Sequence, residues 1–429
     1  MNRSRYIRPS GPCGIRSLGY LVAWLALAGC TSPGSTSPGD GEGGQSGSSA
    51  DGGSAGGQSR ATGSAGGPSS GVDGGAGCEP AAEDGGQRDT ERADGSTAPD
   101  LGPADSMAPE MPTRPGDGSL ADTNIKYVGR WDFSDPSQFV SYWGGAYLKV
   151  AFNGTTLKIN LGGSNNCYVA IDGGAWVKLS NVNGSVNLTP TPLPQGAHVA
   201  TISAGKDYGY EFAFKGLSLG AGATTLASVQ PHLVEFIGDS ITSGYTDAMA
   251  DVSDYAWIAA TGITAEHVQI AYPGIALVDG YGLNNDKTGM EKSYFKLKPL
   301  GYATNADWPA VAYTPALVVI NLGTNDSSTR VPASAFQASY STFLAALRSR
   351  FPDAEIIVMR CFNGSMAAPT QMAVATRVSA GDQRVHYLDT TGWLSASDYN
   401  DGTHPSDNGQ VKIAGLLEPI LASYLPQSP

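Results

Sequence analysis

The chain is poor in cysteine and in charged side chains. Its five cysteines are spread over 429 residues and no two form a Cys-x-x-Cys pair, which argues against a zinc ribbon and a thioredoxin-like motif. Charged residues make up only 15% of the sequence, and the formal net charge is −13. A negative surface repels phosphate backbones, so we expect no nucleic-acid partner.

Acidic residues are absent before position 40, and the start of the chain is cationic. An apolar run over residues 18–28 is too short to span a bilayer comfortably and ends in small residues, which is typical of a secretory signal. The run closes on Leu27-Ala28-Gly29-Cys30. This end resembles the lipobox of bacterial lipoproteins, which implies cleavage before Cys30 and a lipid on its sulfur. We expect an exported protein, anchored by this lipid at the cell envelope, at the outer membrane or the cell surface.

Residues 31–120 contain no Phe, Trp or Tyr. They hold 23 of the 57 glycines and carry a net charge of −10. Such a segment buries too little apolar area to offset its ordering entropy. We therefore predict a disordered Gly/Ser/Pro-rich linker over residues 31–122, between a signal peptide (1–30) and two folded domains (123–228 and 229–429).

The first folded domain is predicted to be an all-β sandwich. Residues 148–152 and 157–161 alternate apolar and polar side chains around Asn153-Gly154, which predicts a β-hairpin because this dipeptide tolerates positive φ. Four more short runs follow, at 167–171, 176–179, 198–202 and 210–214. Six or more short strands in ~100 residues favour an antiparallel sandwich.

From Pro231 onward, apolar strands alternate with amphipathic helices. The predicted strands are 233–237, 268–271, Leu317–Asn321, Glu355–Met359 and Val385–Leu388, and the clearest helices are Ala333–Arg350 and 411–424. This pattern predicts a three-layer, doubly wound α/β domain. Ligands of such a domain sit beyond the carboxyl ends of the strands.

Three polar clusters follow strand ends or precede the last helix. Gly238-Asp239-Ser240 places a hydroxyl, and a backbone N–H that can meet an oxyanion, directly after the first strand. Gly323-Thr324-Asn325-Asp326 offers a side-chain amide donor in Asn325. Asp401-Gly402-Thr403-His404 can form one short turn, in which the carboxylate holds one imidazole nitrogen and the other faces the serine.

Taken together, the three clusters resemble the SGNH (GDSL) hydrolase superfamily from Pro231 to the end of the chain. The resemblance implies a flavodoxin-like α/β fold, with Ser240 as nucleophile and with His404 and Asp401 completing a triad. It also implies an oxyanion hole built from Ser240, Gly274 and Asn325. We expect no metal and no cofactor.

The start of the sandwich, Gly129-Arg130-Trp131-Asp132-Phe133, together with Phe152-Asn153-Gly154-Thr155, is similar to carbohydrate esterase family 2. That resemblance implies a jelly-roll-like sandwich and a serine esterase that removes acetyl groups from xylan or glucomannan. Trp393, Tyr272 and Tyr281 are candidates for stacking on sugar rings. Two alternatives stay open: a lipid-directed esterase such as a lysophospholipase, and a non-catalytic carbohydrate-binding surface protein.

Four further histidines carry no motif around them. We expect His386, inside an apolar strand, to be packed in the core, and His267, just before a strand, to be solvated. A disulfide between Cys167 and Cys361 is left open. We expect a monomer.

Overall fold

The computed structural model describes residues 116–205, 211–229, 231–309 and 312–425. All of them fall within one compact unit of the chain. The predicted signal peptide, Cys30 and residues 31–115 of the predicted linker lie outside the described residues. Within the described ranges, no helix has the length and apolar character needed to cross a membrane.

The amino-terminal part is an antiparallel, barrel-like sandwich of nine strands in the described chain. In chain order these are β1 (Lys126–Val128), β2 (Trp131–Asp132), β3 (Phe139–Ser141), β4 (Tyr147–Asn153), β5 (Leu157–Ile171), β6 (Val177–Asn187), β7 (Ala197–Ala204), β8 (Phe212–Leu219) and β9 (Thr225–Leu226). Alternate side chains of β4, β5 and β7 are buried together, which confirms the predicted all-β class.

The prediction of a hairpin at Asn153-Gly154 is wrong. β4 and β5 do not pair; β7 lies between them and pairs with both. The tight hairpin instead joins β5 to β6 at Asp172-Gly173, where both residues have positive φ (54° and 67°) and Gly174 N–H donates to the Ile171 carbonyl. Both dipeptides suit such a turn, so local sequence does not decide which of them closes a hairpin.

The predicted end of the linker also differs from the structure. Residues 116–122 pack against the sandwich, and Gly116 forms a bridge with Thr225. The buried carboxylate of Asp122 accepts hydrogen bonds from Gly118 N–H (2.8 Å) and the Thr225 hydroxyl (2.7 Å). These residues are polar and Gly-rich like the linker, but these hydrogen bonds and the packing of Leu120 against the sandwich core hold them in place.

The carboxyl-terminal part is a parallel five-stranded sheet in the described chain, ordered β11-β10-β12-β13-β14. Its strands are β10 (Leu233–Gly238), β11 (Glu266–Ala271), β12 (Leu317–Asn321), β13 (Glu355–Met359) and β14 (Val385–Leu388). The helices are α1 (Tyr255–Gly262), α2 (Met290–Ser293), α3 (Thr324–Ser328), α4 (Ala333–Arg350), α5 (Ala367–Ser379) and α6 (Asp407–Tyr424).

Helices cover both faces of this sheet, which confirms the predicted three-layer α/β class. Leu317 and Val319 of β12 pack with α1 and α6, whereas Val318 and Ile320 pack with α4 and α5. α4 has the predicted bounds and buries the predicted face. α6 begins four residues before the predicted start, because the Ser406 hydroxyl caps it by accepting from Gly409 N–H.

The sandwich packs directly on the edge of the α/β part. Val128, Trp143, Tyr147 and Tyr168 belong to the same apolar cluster as Ile237 and Ile270 of the parallel sheet. Arg130, fully buried, donates to the backbone carbonyls of Tyr294 and Lys296. A shared core therefore joins the two parts.

Cys167 and Cys361 are both buried and both free, so they form no disulfide with each other. Cys167 lies in the sandwich core, and the Cys361 thiol contacts the Leu322 carbonyl at 3.3 Å. Burial raises the pKa of each thiol to about 12, which keeps both protonated and unreactive at neutral pH.

Candidate active site

Ser240 lies just beyond the carboxyl end of β10, in a tight turn. Its backbone carbonyl accepts from Tyr245 N–H (3.0 Å) and the Ser243 hydroxyl (3.2 Å), so the turn folds back around the serine. Gly238 is required at the strand end, because a Cβ there would collide with the Thr242 side chain. The serine is 5% exposed, which leaves its hydroxyl at the surface of a well-packed turn.

The structure brings the three predicted triad residues into one hydrogen-bonded chain. His404 Nε2 lies 2.9 Å from Ser240 Oγ, across 164 positions of sequence. His404 Nδ1 lies 2.7 Å from Asp401 Oδ2. Asp401 Oδ1 also accepts from the backbone N–H groups of Thr403 (3.0 Å) and His404 (2.8 Å), so one short turn fixes both side chains.

Asp401 is held in its charged form. Partial burial acts to raise its pKa, but hydrogen bonds from the His404 backbone, the His404 ring and the Thr403 backbone outweigh it and lower the pKa to about 2. A carboxylate that stays ionised orients the imidazole and stabilises it when it takes a proton. The Asp401 side chain is 49% exposed, so water screens part of this effect.

We expect Asp401→Asn to lower kcat by about 10²-fold, less than the roughly 10⁴-fold typical of a buried triad aspartate, because water partly replaces the exposed carboxylate. Because the pKa of Asp401 is lowered from 3.8 to about 2, the side chain is a carboxylate at and above pH ~4 and can orient the imidazole there. This stabilising effect is lost only as pH falls through about 2. Steady-state kinetics with nitrophenyl acetate would measure the loss, and wild-type kcat in the variant would contradict the role.

The predicted oxyanion-hole groups lie around the serine turn, and two of them have free donors. The backbone N–H groups of Ser240 and Gly274 have no hydrogen-bond partner among the residues that the structure describes. Gly274 has φ +77°, a conformation that favours glycine. Both N–H groups are therefore available to a developing negative charge.

Asn325, the third predicted donor, is not free. Its side-chain Nδ2 donates to the Ile275 carbonyl (2.9 Å) and to Asp239 Oδ2 (3.2 Å). The longer bond must open or be shared before this amide can serve an oxyanion. Complete burial, partly opposed by the Ile241 N–H and reinforced by the nearby Asp326 carboxylate, raises the pKa of Asp239 to about 7.

Asp326 is a residue at the site that the sequence argument did not assign. Its two carboxylate oxygens accept from the backbone N–H groups of Leu277 (2.8 Å) and Val278 (3.0 Å). Because Asn325 holds the Ile275 carbonyl, the Asn325-Asp326 pair fixes the chain immediately after Gly274 from both sides. Its position beside Asn325 was visible in the sequence, but its two backbone partners were not.

We expect Asp326→Asn to lower kcat by about tenfold while changing KM little. The asparagine side chain would turn its NH₂ toward one of the two backbone N–H groups. Because that N–H loses its acceptor, the loop that follows Gly274 becomes less firmly held. Steady-state kinetics with nitrophenyl acetate would measure this split. Asp382→Asn is a matched control, because the Asp382 carboxylate is also held by nitrogen donors, but in an ion pair with Arg348 beyond α5; wild-type kcat in both variants would contradict the assignment.

The three aromatic candidates for sugar stacking are packed partly into the fold. Tyr272 and Tyr281 are partly buried against the apolar cluster that the sandwich and the parallel sheet share, and Trp393 packs near Phe362, with ring centroids 6.3 Å apart. The ring that meets the imidazole is Tyr245, 43% exposed, with its centroid 5.4 Å from that of His404. Tyr245 closes the serine motif in the sequence, and that position was the signal that could have identified it.

The burial of two other histidines differs from what the sequence predicted. His267, expected to be solvated, lies inside β11 and is 2% exposed, and its burial lowers the pKa of the imidazole to about 3. His386, expected in the core, keeps 29% of its side chain exposed and binds Glu355 at 2.7 Å. In the described ranges, no three His, Cys, Asp or Glu side chains group as metal ligands.

Comparisons with known proteins assign a family to each part of the described chain. Residues 236–412 match the GDSL-like Lipase/Acylhydrolase family, and residues 127–228 match the Carbohydrate esterase 2 N-terminal family. The chain is 30% identical over 310 residues to the cellulase/esterase CelE of Acetivibrio thermocellus. This match covers 66% of the chain but only 37% of CelE, so the chain spans just over a third of that relative.

Two further proteins match over most of their own length. The chain is 28% identical to an acetylxylan esterase / glucomannan deacetylase of Cellvibrio japonicus, over 66% of the chain and 86% of that protein. A solved structure of a family two carbohydrate esterase from Clostridium thermocellum, in complex with cellohexaose, is 27% identical with a TM-score of 0.61. That match covers 70% of this chain and all of the solved chain.

Proposed function

Because the chain carries a carbohydrate esterase 2 N-terminal domain followed by a GDSL-like lipase/acylhydrolase domain, we propose that it is a serine esterase that removes O-acetyl groups from polysaccharides. One observation carries the proposal: the imidazole of His404 joins the Ser240 hydroxyl at 2.9 Å to the Asp401 carboxylate at 2.7 Å. This is the arrangement that activates a hydroxyl as a nucleophile.

In the proposed reaction, His404 Nε2 takes the proton of Ser240 as Oγ attacks the acetyl carbonyl carbon. The free N–H groups of Ser240 and Gly274 stabilise the oxyanion, and the amide of Asn325 joins them once it releases Asp239. Each such donor contributes about 3 kcal/mol to lowering the barrier. The C–O bond to the sugar breaks, and the sugar oxygen takes the proton from His404. A water molecule then attacks the acyl-enzyme and gives a proton to His404. The bond between the acyl carbon and Ser240 Oγ breaks, His404 returns the proton to Oγ, and acetic acid leaves and ionises to acetate.

Acetylated xylan and glucomannan are the proposed substrates. The relatives support this class, since one is named for both polymers and a structure of another holds cellohexaose. The exposed ring of Tyr245 beside His404 offers an apolar face that a sugar could cover during attack.

The proposal is tested by acetate release from acetylated xylan and acetylated glucomannan, measured alongside nitrophenyl acetate and nitrophenyl palmitate. We expect both polymers and the acetate ester to be hydrolysed, and the palmitate ester to be cleaved far more slowly. Faster hydrolysis of the palmitate ester would favour a lipid-directed esterase. Binding of either polymer without acetate release would favour a non-catalytic surface protein.

We also propose that the protein is exported and held at the cell envelope by a lipid on Cys30. The support is the cationic start, the apolar run and Leu27-Ala28-Gly29-Cys30 in the sequence. Replacing Cys30 with serine should move the protein from the membrane fraction to the soluble fraction and abolish labelling by radioactive palmitate. Unchanged membrane association of the variant would refute the anchor.

A further inference from the structure

A second cleft lies between the sandwich and the α/β part, separate from the turn that holds Ser240. This seam cleft has a volume of about 530 Å³, within the usual range for small-ligand sites, and its walls include Tyr147, Trp176, Thr201, Trp257, Glu266 and His267. His267 pairs with Val234, four residues before the end of β10 at Gly238. The cleft is therefore about 13 Å back along the strand from the turn that holds Ser240.

Aromatic rings form the apolar wall of the seam cleft. The rings of Trp176 and Trp257 meet edge to face, with centroids 5.0 Å apart and planes at 86°. Tyr147 packs on Trp257 at 4.9 Å. Trp176, at the end of the β5–β6 hairpin, is only partly buried. Its neighbours at the tip, Gly173 and Gly174, carry no side chain that would cover the opening.

The charges of the seam cleft are already neutralised in pairs. Lys149 Nζ binds Glu266 at 2.7 Å, and the Tyr147 hydroxyl donates to the same carboxylate. Asp172 binds His198 at 2.6 Å. A charged ligand would have to break one of these pairs, so the cleft suits a neutral ligand.

Polar groups without partners remain in the same cleft. His267, 2% exposed, has a ring nitrogen Nε2 that makes no hydrogen bond. Its pKa of about 3 keeps the imidazole neutral, so the nitrogen can exchange a hydrogen bond with a hydroxyl. The Thr201 hydroxyl also has no partner among the described residues. A buried polar atom left unpaired is costly, and a bound hydroxyl would remove that cost.

A second cavity of about 680 Å³ lies next to the cleft, since Pro231 and Glu266 border both. It presents Phe133, which is 50% exposed, and Trp308, which is 93% buried and whose ring N–H has no partner among the described residues. Each cavity therefore presents aromatic rings and a polar atom that lacks a partner. A ligand that repeats such units along its length can contact both cavities, whereas a single small molecule contacts one.

We propose that these two neighbouring cavities along the seam form a second, non-catalytic binding site for a neutral polysaccharide chain. Sugar rings combine apolar C–H faces, which pack on aromatic rings, with hydroxyl groups at their edges, which meet unpaired polar atoms. Such a site would retain the polymer while the serine at the other end of the sheet works on acetyl groups. The proposal goes beyond the esterase activity and does not require it.

The test is isothermal titration of the full chain with cellohexaose, xylohexaose and mannohexaose. We expect Trp176→Ala to weaken binding of at least one of them by about tenfold, and Thr201→Val by a few-fold. Trp176→Phe, which keeps a ring, should restore most of the affinity. Hydrolysis of nitrophenyl acetate should stay within about twofold of wild type in all three variants.

Tyr245→Ala is the matched control, since it removes an exposed ring beside His404 instead of at the seam. We expect it to leave the seam affinity unchanged. Three results would each overturn the proposal: no binding of any of the three oligosaccharides, wild-type affinity in folded Trp176→Ala, or loss of binding in Tyr245→Ala alone. Thermal unfolding of each variant shows whether it is folded, and Thr201→Val, which conserves side-chain volume, keeps the test decisive if Trp176→Ala does not fold.

Discussion

Replacing Ser240 with alanine should lower acetate release from acetylated xylan by roughly 10⁴- to 10⁶-fold, close to the uncatalysed background. The change removes the oxygen that His404 Nε2 contacts at 2.9 Å, so no acyl-enzyme can form. The backbone N–H of residue 240 survives the substitution and so does the turn, since the serine hydroxyl makes no other hydrogen bond in the described chain. The residual rate therefore measures what the oxyanion donors and binding achieve by themselves.

Ser253→Ala provides a control in the same segment of chain. Among the described residues, the Ser253 hydroxyl donates to the Met249 carbonyl alone, at 2.8 Å, so its loss should change the rate by less than about twofold. Labelling by a fluorophosphonate gives a second measurement, since it should attach to wild type and Ser253→Ala but not to Ser240→Ala. Acetate release by Ser240→Ala at the wild-type rate would remove the basis of the esterase proposal.

Replacing His404 with alanine should cost nearly as much as losing the serine. Without the imidazole, the Ser240 hydroxyl has no hydrogen-bond partner among the described residues that could take its proton or return it to the leaving sugar oxygen. The fluorophosphonate reaction should slow together with ester hydrolysis, because both need an activated hydroxyl. His386→Gln is the control, since His386 of β14 binds Glu355 of β13. This substitution should leave the rate unchanged.

The double variant Ser240→Ala/His404→Ala distinguishes a working pair from two independent contributions. Residues that act as one unit lose their effect once either is removed, so the double variant should be no slower than either single variant. If the two losses multiplied instead, the histidine would be acting on a step that does not involve the serine. That result would contradict the mechanism even if each single variant were inactive.

The elements that the sequence predicted well are those specified by contacts close along the chain. The apolar spacing of Phe336, Tyr340 and Leu347 gave α4 its bounds and its buried face. β12, β13 and β14 also have the predicted limits. The Asp401–His404 bond spans three positions, so one turn suffices to form it.

The predictions that failed required knowledge of distant neighbours. β5 runs unbroken through two predicted strands, because β6, β7 and β8 pair along its length. His267 is buried because Tyr147 of the sandwich and Trp257 of α1 close over it. Asn325 contacts Asp239 across 86 positions, and no local pattern indicates that bond.

The sequence by itself determined which side chains carry the chemistry, since a serine after a strand, an amide after another and an aspartate one turn before a histidine are each local features. Only the tertiary structure decided what surrounds them. It brought Asp326 into hydrogen-bond contact with the loop that follows Gly274, buried His267 in the wall of the seam cleft and packed the sandwich against the edge of the sheet. The physical reason is that periodicity and short-range hydrogen bonds act along the chain, whereas burial and pairing depend on segments brought together only when the whole core forms.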